Sequence, residues 1–181
     1  MKIVAIVGMN GSGKSEVSRA FEEHGFKRIR FGDITDQEIA RRGMPLNEES
    51  ERTIRQRLRE EHGMDAYAKL NLPRIDEALR YSPVVIDGLY SWDEYKLLKA
   101  RYGADLIVVA VYASPKTRQS RLPLRKVRPL TPEESLSRDY NEIEKLGKGG
   151  PIAMADFTLI NESSIEHLRK ETERLIAALR E

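Results

Sequence analysis

Residues 8 to 15 read Gly-Met-Asn-Gly-Ser-Gly-Lys-Ser, which satisfies the pattern Gly-x-x-x-x-Gly-Lys-Ser/Thr in full. Each residue type in that pattern has a chemical reason. Glycines let the backbone curl until successive N–H groups point inward at a bound phosphate, and the start of a helix adds its partial positive charge. Lys14 would reach the β- and γ-phosphates of a nucleoside triphosphate, and the Ser15 hydroxyl would take a position on Mg2+. Gly8, Met9, Asn10, Gly11, Ser12, Gly13, Lys14, Ser15 and Glu16 are therefore the expected nucleotide-binding residues, with ATP and Mg2+ as the expected cofactors.

Such a site also needs a second anchor for the metal and a base near the acceptor hydroxyl. Asp87 closes the apolar run Val84-Val85-Ile86 and precedes Gly88, while Asp33 follows Gly32 after the run Phe26 to Phe31. In an open parallel sheet, ligands gather at the carboxyl ends of the strands. Asp87 is read as a ligand to a magnesium-bound water or as the base, and Asp33 as the group that orients or deprotonates the acceptor. The sequence does not rank the two. An Asp-Gly turn and a helix cap are the purely structural alternatives.

From Ala113 to Pro132 there is no acidic residue, while Lys116, Arg118, Arg121, Arg125, Lys126 and Arg128 all carry positive charge. Phosphoryl transfer is accelerated mainly by positioning and by cations, so Arg118, Arg121 and Arg125 are expected on a lid spanning about 115–135. Pro123 predicts that the helix carrying Arg118 and Arg121 stops near Leu122, leaving Arg125 to Arg128 on a loop. A solvated basic face is the alternative. Arg138-Asp139 adds a further candidate contact with the lid. Arg41, Arg42, Arg52, Arg55, Arg57 and Arg59 are interleaved with Glu48, Glu49, Glu51, Glu60 and Glu61, the pattern of a solvated helix surface, from which one or two arginines could clamp an acceptor phosphate.

The 181 residues hold 31 Lys+Arg against 29 Asp+Glu, a net charge of +2, which disfavours nucleic acid as the partner. The absence of cysteine removes disulfides, thiolate nucleophiles and Cys-based zinc or iron-sulfur sites. No 18 apolar residues run together and the opening apolar run is too short for a signal segment, so a cytoplasmic chain without a membrane partner is expected. Monomer and small homo-oligomer remain open.

Short apolar runs alternate with stretches of helical period, the pattern of an α/β fold with a parallel sheet covered on both faces. Strands are expected at Ile3 to Val7, Phe26 to Phe31, Val84 to Ile86, Leu106 to Val111 and Phe157 to Ile160. Ser91, Thr131 and Ser163, each followed three residues later by Glu, predict capping boxes. One domain is expected, with core segments 1–32, 81–114 and 136–181 and a helical acceptor-binding insert at about 33–80.

Taken together, the loop at Gly8 to Ser15, Gly32-Asp33, Val-Val-Ile-Asp-Gly at 84 to 88, the arginines after Ser114-Pro115 and the segment Ala155 to Asn161 resemble the P-loop nucleotide kinases. Over nearly its whole length the chain is similar to an uncharacterised, largely archaeal P-loop family near adenylate kinase and dephospho-CoA kinase. The resemblance implies a three-layer α/β/α fold with five parallel strands in the order 2-3-1-4-5. It places the loop at Asn161 near the adenine, and Asn161 and Arg121 are counted with the ATP-binding residues. It implies an ATP-dependent kinase of a small phosphorylated, nucleotide-like acceptor such as dephospho-CoA or a nucleoside monophosphate. Asp36 and Tyr90-Ser91 stand where adenylate kinases carry the arginines that hold the AMP phosphate, and the Pro-Leu-Leu run of dephospho-CoA kinases is replaced by Gly88-Leu89-Tyr90. The rival expectation is a nucleotide-binding regulatory protein with slow ATPase activity.

Overall fold

The computed structural model describes residues 2–124 and 129–180. Five strands, β1 (Ile3–Val7), β2 (Lys27–Arg30), β3 (Val84–Asp87), β4 (Leu106–Tyr112) and β5 (Phe157–Ile160), form one sheet in the order β2-β3-β1-β4-β5. Every pairing is parallel. Crossovers between parallel strands require helices, and these are α1 (Lys14–Glu23), α2 (Asp33–Arg41), α3 (Glu48–His62), α4 (Ala66–Ala78), α5 (Trp92–Tyr102), α6 (Pro115–Arg121), α7 (Pro132–Glu144), α8 (Gly149–Ala153) and α9 (Ile165–Ala178).

The continuous apolar run of β1 follows from burial on both faces, since every one of its residues is 0% exposed. Ile3, Ala5 and Val7 meet Ile86, Val108 and Ala110 and the helices α2 to α5 through residues such as Ile39, Ile54, Tyr67 and Leu98. Val4 and Ile6 pack with Val85, Val109 and Val111 against Val17 and Phe21 of α1 and Leu168 and Ile176 of α9. The period of two therefore places Asp87 on the face of Val85, the one covered by α1.

Ser91 and Thr131 form the reciprocal capping boxes that the sequence predicts. The third expectation is corrected by one residue: Ser164, not Ser163, caps α9, its hydroxyl accepting from the His167 N–H. The Ser163 carbonyl instead accepts from Arg121. Helix α6 ends at Arg121 with Leu122 as its cap. Because all strands run the same way, the segments beginning at Gly8, Phe31, Gly88, Ala113 and Asn161 leave the sheet at one edge.

Candidate active site

Helix α1 is preceded by Gly13, which has φ +104° and offers no side chain to cap the helix. By contrast α3, α5, α6, α7 and α9 are closed by Asn47, Ser91, Ser114, Thr131 and Ser164. The first N–H groups of α1 thus have no intrahelical acceptor and lie open to an anion. The carbonyls of the loop are tied back. Lys14 Nζ donates to the Met9 carbonyl at 2.9 Å, Arg118 Nη1 to that of Asn10 at 3.1 Å, and Asn161 Nδ2 to that of Ser12 at 2.8 Å. With those carbonyls engaged from outside, the loop is free to present amides inward. A Cβ on Gly13 would stand 2.4 Å from Asn161 Nδ2, so glycine is required there for close packing as well as for its backbone. The Ser12 hydroxyl is buried without a hydrogen-bond partner, an acceptor and donor held in reserve on the loop.

Lys14 is pulled down to about 7, first by desolvation and then by the nearby charges of Lys148 and Arg138, with Glu142 and Asp87 acting in the opposite sense. Lys148, only 1% exposed, donates to Glu142 Oε2 at 2.9 Å. Arg138 donates to Glu142 Oε1 at 3.3 Å. Burial alone would raise Glu142, but Lys148, Arg138 and Lys14 together hold it down at about 2. Lys148 and Glu142 escape sequence reasoning. Their signal is the run Gly147-Lys148-Gly149-Gly150, where φ of +60° at Gly147 turns the chain after α7 and buries the lysine.

Asp87 is buried, and Arg28 of β2 holds its Oδ2 through Nε at 3.1 Å and Nη2 at 2.5 Å. The two expected carboxylates are not equivalent. Asp33, at the start of α2, accepts from Arg30 at 3.0 Å and Arg74 at 3.2 Å. It is Asp36, one turn on, that lines the adjoining cavity. Tyr90 packs into the edge between them: a Cβ on Gly88 or Gly32 would stand 2.8 or 3.2 Å from its hydroxyl.

Arg118 departs from the expected swinging lid cation. It is 4% exposed and meets Asp139 fork to fork, with Nε donating to the Ala113 carbonyl at 3.1 Å, because α7 brings the acidic partner that its own segment lacks. Arg121 donates to the Asn161 carbonyl at 3.0 Å. Arg125 lies outside the described residues. Glu16 turns along α1 to Arg19 and, at 3.6 Å, to Arg169 of α9, while Ser15 is exposed in the first turn.

A cavity of about 1030 Å³ opens beside the loop, bounded by α2, α3, Tyr67, Tyr90 and α7, and it reaches the loop at Asn10. Its size suits a ligand of metabolite dimensions.

A family model described as "AAA domain" matches residues 4–146. A UPF0200 protein of Thermococcus sibiricus is 37% identical over 181 residues, covering 98% of this chain and 95% of the relative. The chain belongs to the UPF0200 family. Among solved structures, TT1252 from Thermus thermophilus superposes with a TM-score of 0.69 at 19% identity, covering 98% of this chain and 97% of the other. Shikimate kinase from Bacteroides thetaiotaomicron superposes with a TM-score of 0.63 at 14% identity, with 99% of both chains covered. At such identities the likeness establishes the fold, that of the P-loop kinases, with the five parallel strands in the order expected.

Proposed function

We propose that this chain is a Mg2+- and ATP-dependent phosphotransferase acting on a small nucleotide-like acceptor, with dephospho-CoA and nucleoside monophosphates as the leading classes. One observation carries the reading: an uncapped phosphate loop and a separate cavity of about 1030 Å³ meet at Asn10, so that two ligands can lie end to end. A pure nucleotide-binding module has no need of the second space. The similarity of fold to a shikimate kinase agrees with a small-molecule acceptor.

Phosphates of the donor would lie on the amides of Gly11 to Ser15, where Lys14 regains its proton on meeting the anion. The residues present fit a magnesium ion. Ser15 is exposed at the helix start and Asp87 lies near enough to act on the Lys14 charge. No cluster of three or more metal-binding side chains occurs among the described residues, so phosphate oxygens would complete the coordination. When bound, the ion would neutralise charge on the triphosphate. In transfer, the acceptor oxygen bonds to the γ-phosphorus as the bond to the bridging oxygen of ADP breaks, and where that oxygen is a hydroxyl its proton passes to a carboxylate. Asp87, paired with Arg28, on the loop side and Asp36, paired with Arg30, on the cavity side are our candidates for this; Asp33, shared by Arg30 and Arg74 and outside the cavity lining, orients the turn. Lys14 and Arg138 offset the charge that develops, and Arg121 with Asn161 supports the donor end.

Incubation with γ-labelled ATP and a panel of nucleotides, nucleosides and cofactor precursors tests the proposal. Label is expected in one acceptor class. Acceptor-independent ADP release with no labelled product throughout the panel would overturn it in favour of a regulatory ATPase. That second reading draws on Leu136, Tyr140 and Ile143, which are exposed on α7 at helical spacing.

A further inference from the structure

The walls of the cavity beside the phosphate loop neutralise most of their own charge. Arg30 is held by Asp33 and Asp36, Arg55 by Glu48 and Glu51, and Arg138 by Glu142. Arg52 and Lys145 are exposed at the rim. Arg59 of α3 is different. It lines the same cavity, makes no carboxylate ion pair among the described residues, and its Nε is buried with no hydrogen-bond partner. Folded proteins leave few buried donors unmet, and an unmet guanidinium N–H on a cavity wall is completed most simply by a ligand.

The surroundings of Arg59 are those of a built platform. Its guanidinium carbon lies 5.2 Å from the centre of the Tyr67 ring, a cation–π contact. Tyr67 meets Tyr90 edge-on at 5.4 Å and shares a 2.5 Å hydrogen bond with Thr35. Glu94, the buried carboxyl whose field reaches Arg59, is pushed up to about 7 by desolvation, and its Oε1 has no partner. At neutral pH it offsets only part of the guanidinium charge. The arginine is thus held over an aromatic ring and incompletely compensated, a combination that favours capture of an oxyanion by its planar fork.

We propose that Arg59 anchors a single anionic group of the acceptor, a phosphate monoester or a carboxylate, while the paired arginines and glutamates around it bind an otherwise uncharged, hydroxyl-bearing body. This deepens the phosphotransferase reading and rests on it. Walls whose charges are already paired offer alternating donors and acceptors, which match hydroxyls and disfavour a second or third phosphate. A nucleoside monophosphate meets the description through its phosphate and a hydroxy acid through its carboxylate, whereas dephospho-CoA, with its diphosphate, does not, so the inference narrows the acceptor classes proposed above.

The probe is inorganic phosphate, with acetate as the second arm, titrated into full-length protein by calorimetry. Lys14→Ala weakens phosphate binding at the loop, so the Arg59-dependent part of the binding that remains reports the cavity. In that background Arg59→Gln is expected to weaken phosphate at least tenfold, and equal binding with and without Arg59 would overturn the proposal. Circular dichroism checks folding. Should Arg59→Gln not fold, Arg59→Lys keeps the charge and loses the planar fork; it is expected to weaken phosphate several-fold, and unchanged affinity overturns the proposal equally. Acetate binding as well as phosphate identifies a carboxylate acceptor, and phosphate alone a phosphate monoester; neither anion binding the Lys14→Ala protein refutes the site. Failure of wild type to bind an ATP analogue would instead refute the phosphotransferase reading and leave the anion result standing.

Discussion

Arg118 and Asp139 meet fork to fork, Nη1 to Oδ1 and Nη2 to Oδ2, both at 2.8 Å, and the same Nη1 also donates to the Asn10 carbonyl. The pair clamps the back of the phosphate loop to α7. Replacing Asp139 by Asn leaves a buried guanidinium under the loop without its counter-charge, at a cost of about 3–5 kcal/mol. Urea denaturation checks the loss, and titration with an ATP analogue is expected to show weakened binding although Asp139 itself touches no phosphate.

Asn161 supplies a gentler version of the same test. Its amide donates to the Ser12 carbonyl and packs against Gly13. Asn161→Ala is expected to cost about 1 kcal/mol of stability and to lower nucleotide affinity. Gly13→Ala puts a methyl 2.4 Å from the amide nitrogen in a backbone region that disfavours side chains, and should abolish nucleotide binding while far-UV circular dichroism stays native.

Lys14 predicts a pH dependence with a definite sign. In the free protein it loses its proton near 7, well below its usual 10.5. A bound phosphate favours the charged form, so binding above pH 7 takes up a proton, and affinity falls by up to about tenfold per pH unit above that point. Calorimetry at pH 8 in two buffers of different ionisation enthalpy measures the uptake. For folding, the unfolded chain holds more protons between about 7 and 10.5, so this group makes stability rise with pH across that window. Lys14→Met should remove that rise.

Glu142 is shifted down as well, but here the shift favours the charged form. Held at about 2 against an ordinary 4.5, it stabilises the fold above pH 4.5 and loses that contribution as pH falls towards 2. Glu142→Gln strands the buried Lys148 and is expected to cost about 3–5 kcal/mol at pH 7. Comparing urea midpoints at pH 7 and pH 3 checks it: the gap between wild type and variant should narrow in acid.

What the sequence disclosed depended on the range of the interaction. The strands and the phosphate loop are written locally, as β-branched runs and as a spaced pattern, and they lie where that pattern puts them. The partner of Arg118 is 21 residues away on another helix, so its own segment read as unpaired charge suited to a moving lid. Lys148 carries no local mark beyond the glycines around it. The cap of α9 slipped by a residue because Ser163 and Ser164 are chemically alike, and only the entry of the chain into the helix distinguishes them. Asp33 and Asp36 likewise differ in where one turn of helix points them.

The anchors of the phosphate loop also bear on how the protein is made. The loop is synthesised well before its anchors: its Asn10 carbonyl is fastened by a residue 108 positions downstream and its Ser12 carbonyl by one 149 positions downstream. A growing chain therefore acquires the ability to hold a nucleotide only when β5 and the turn after it have left the ribosome. Ligand capture is tied to synthesis of the segment through Asn161, and fragments released before it carry the motif without the binding function.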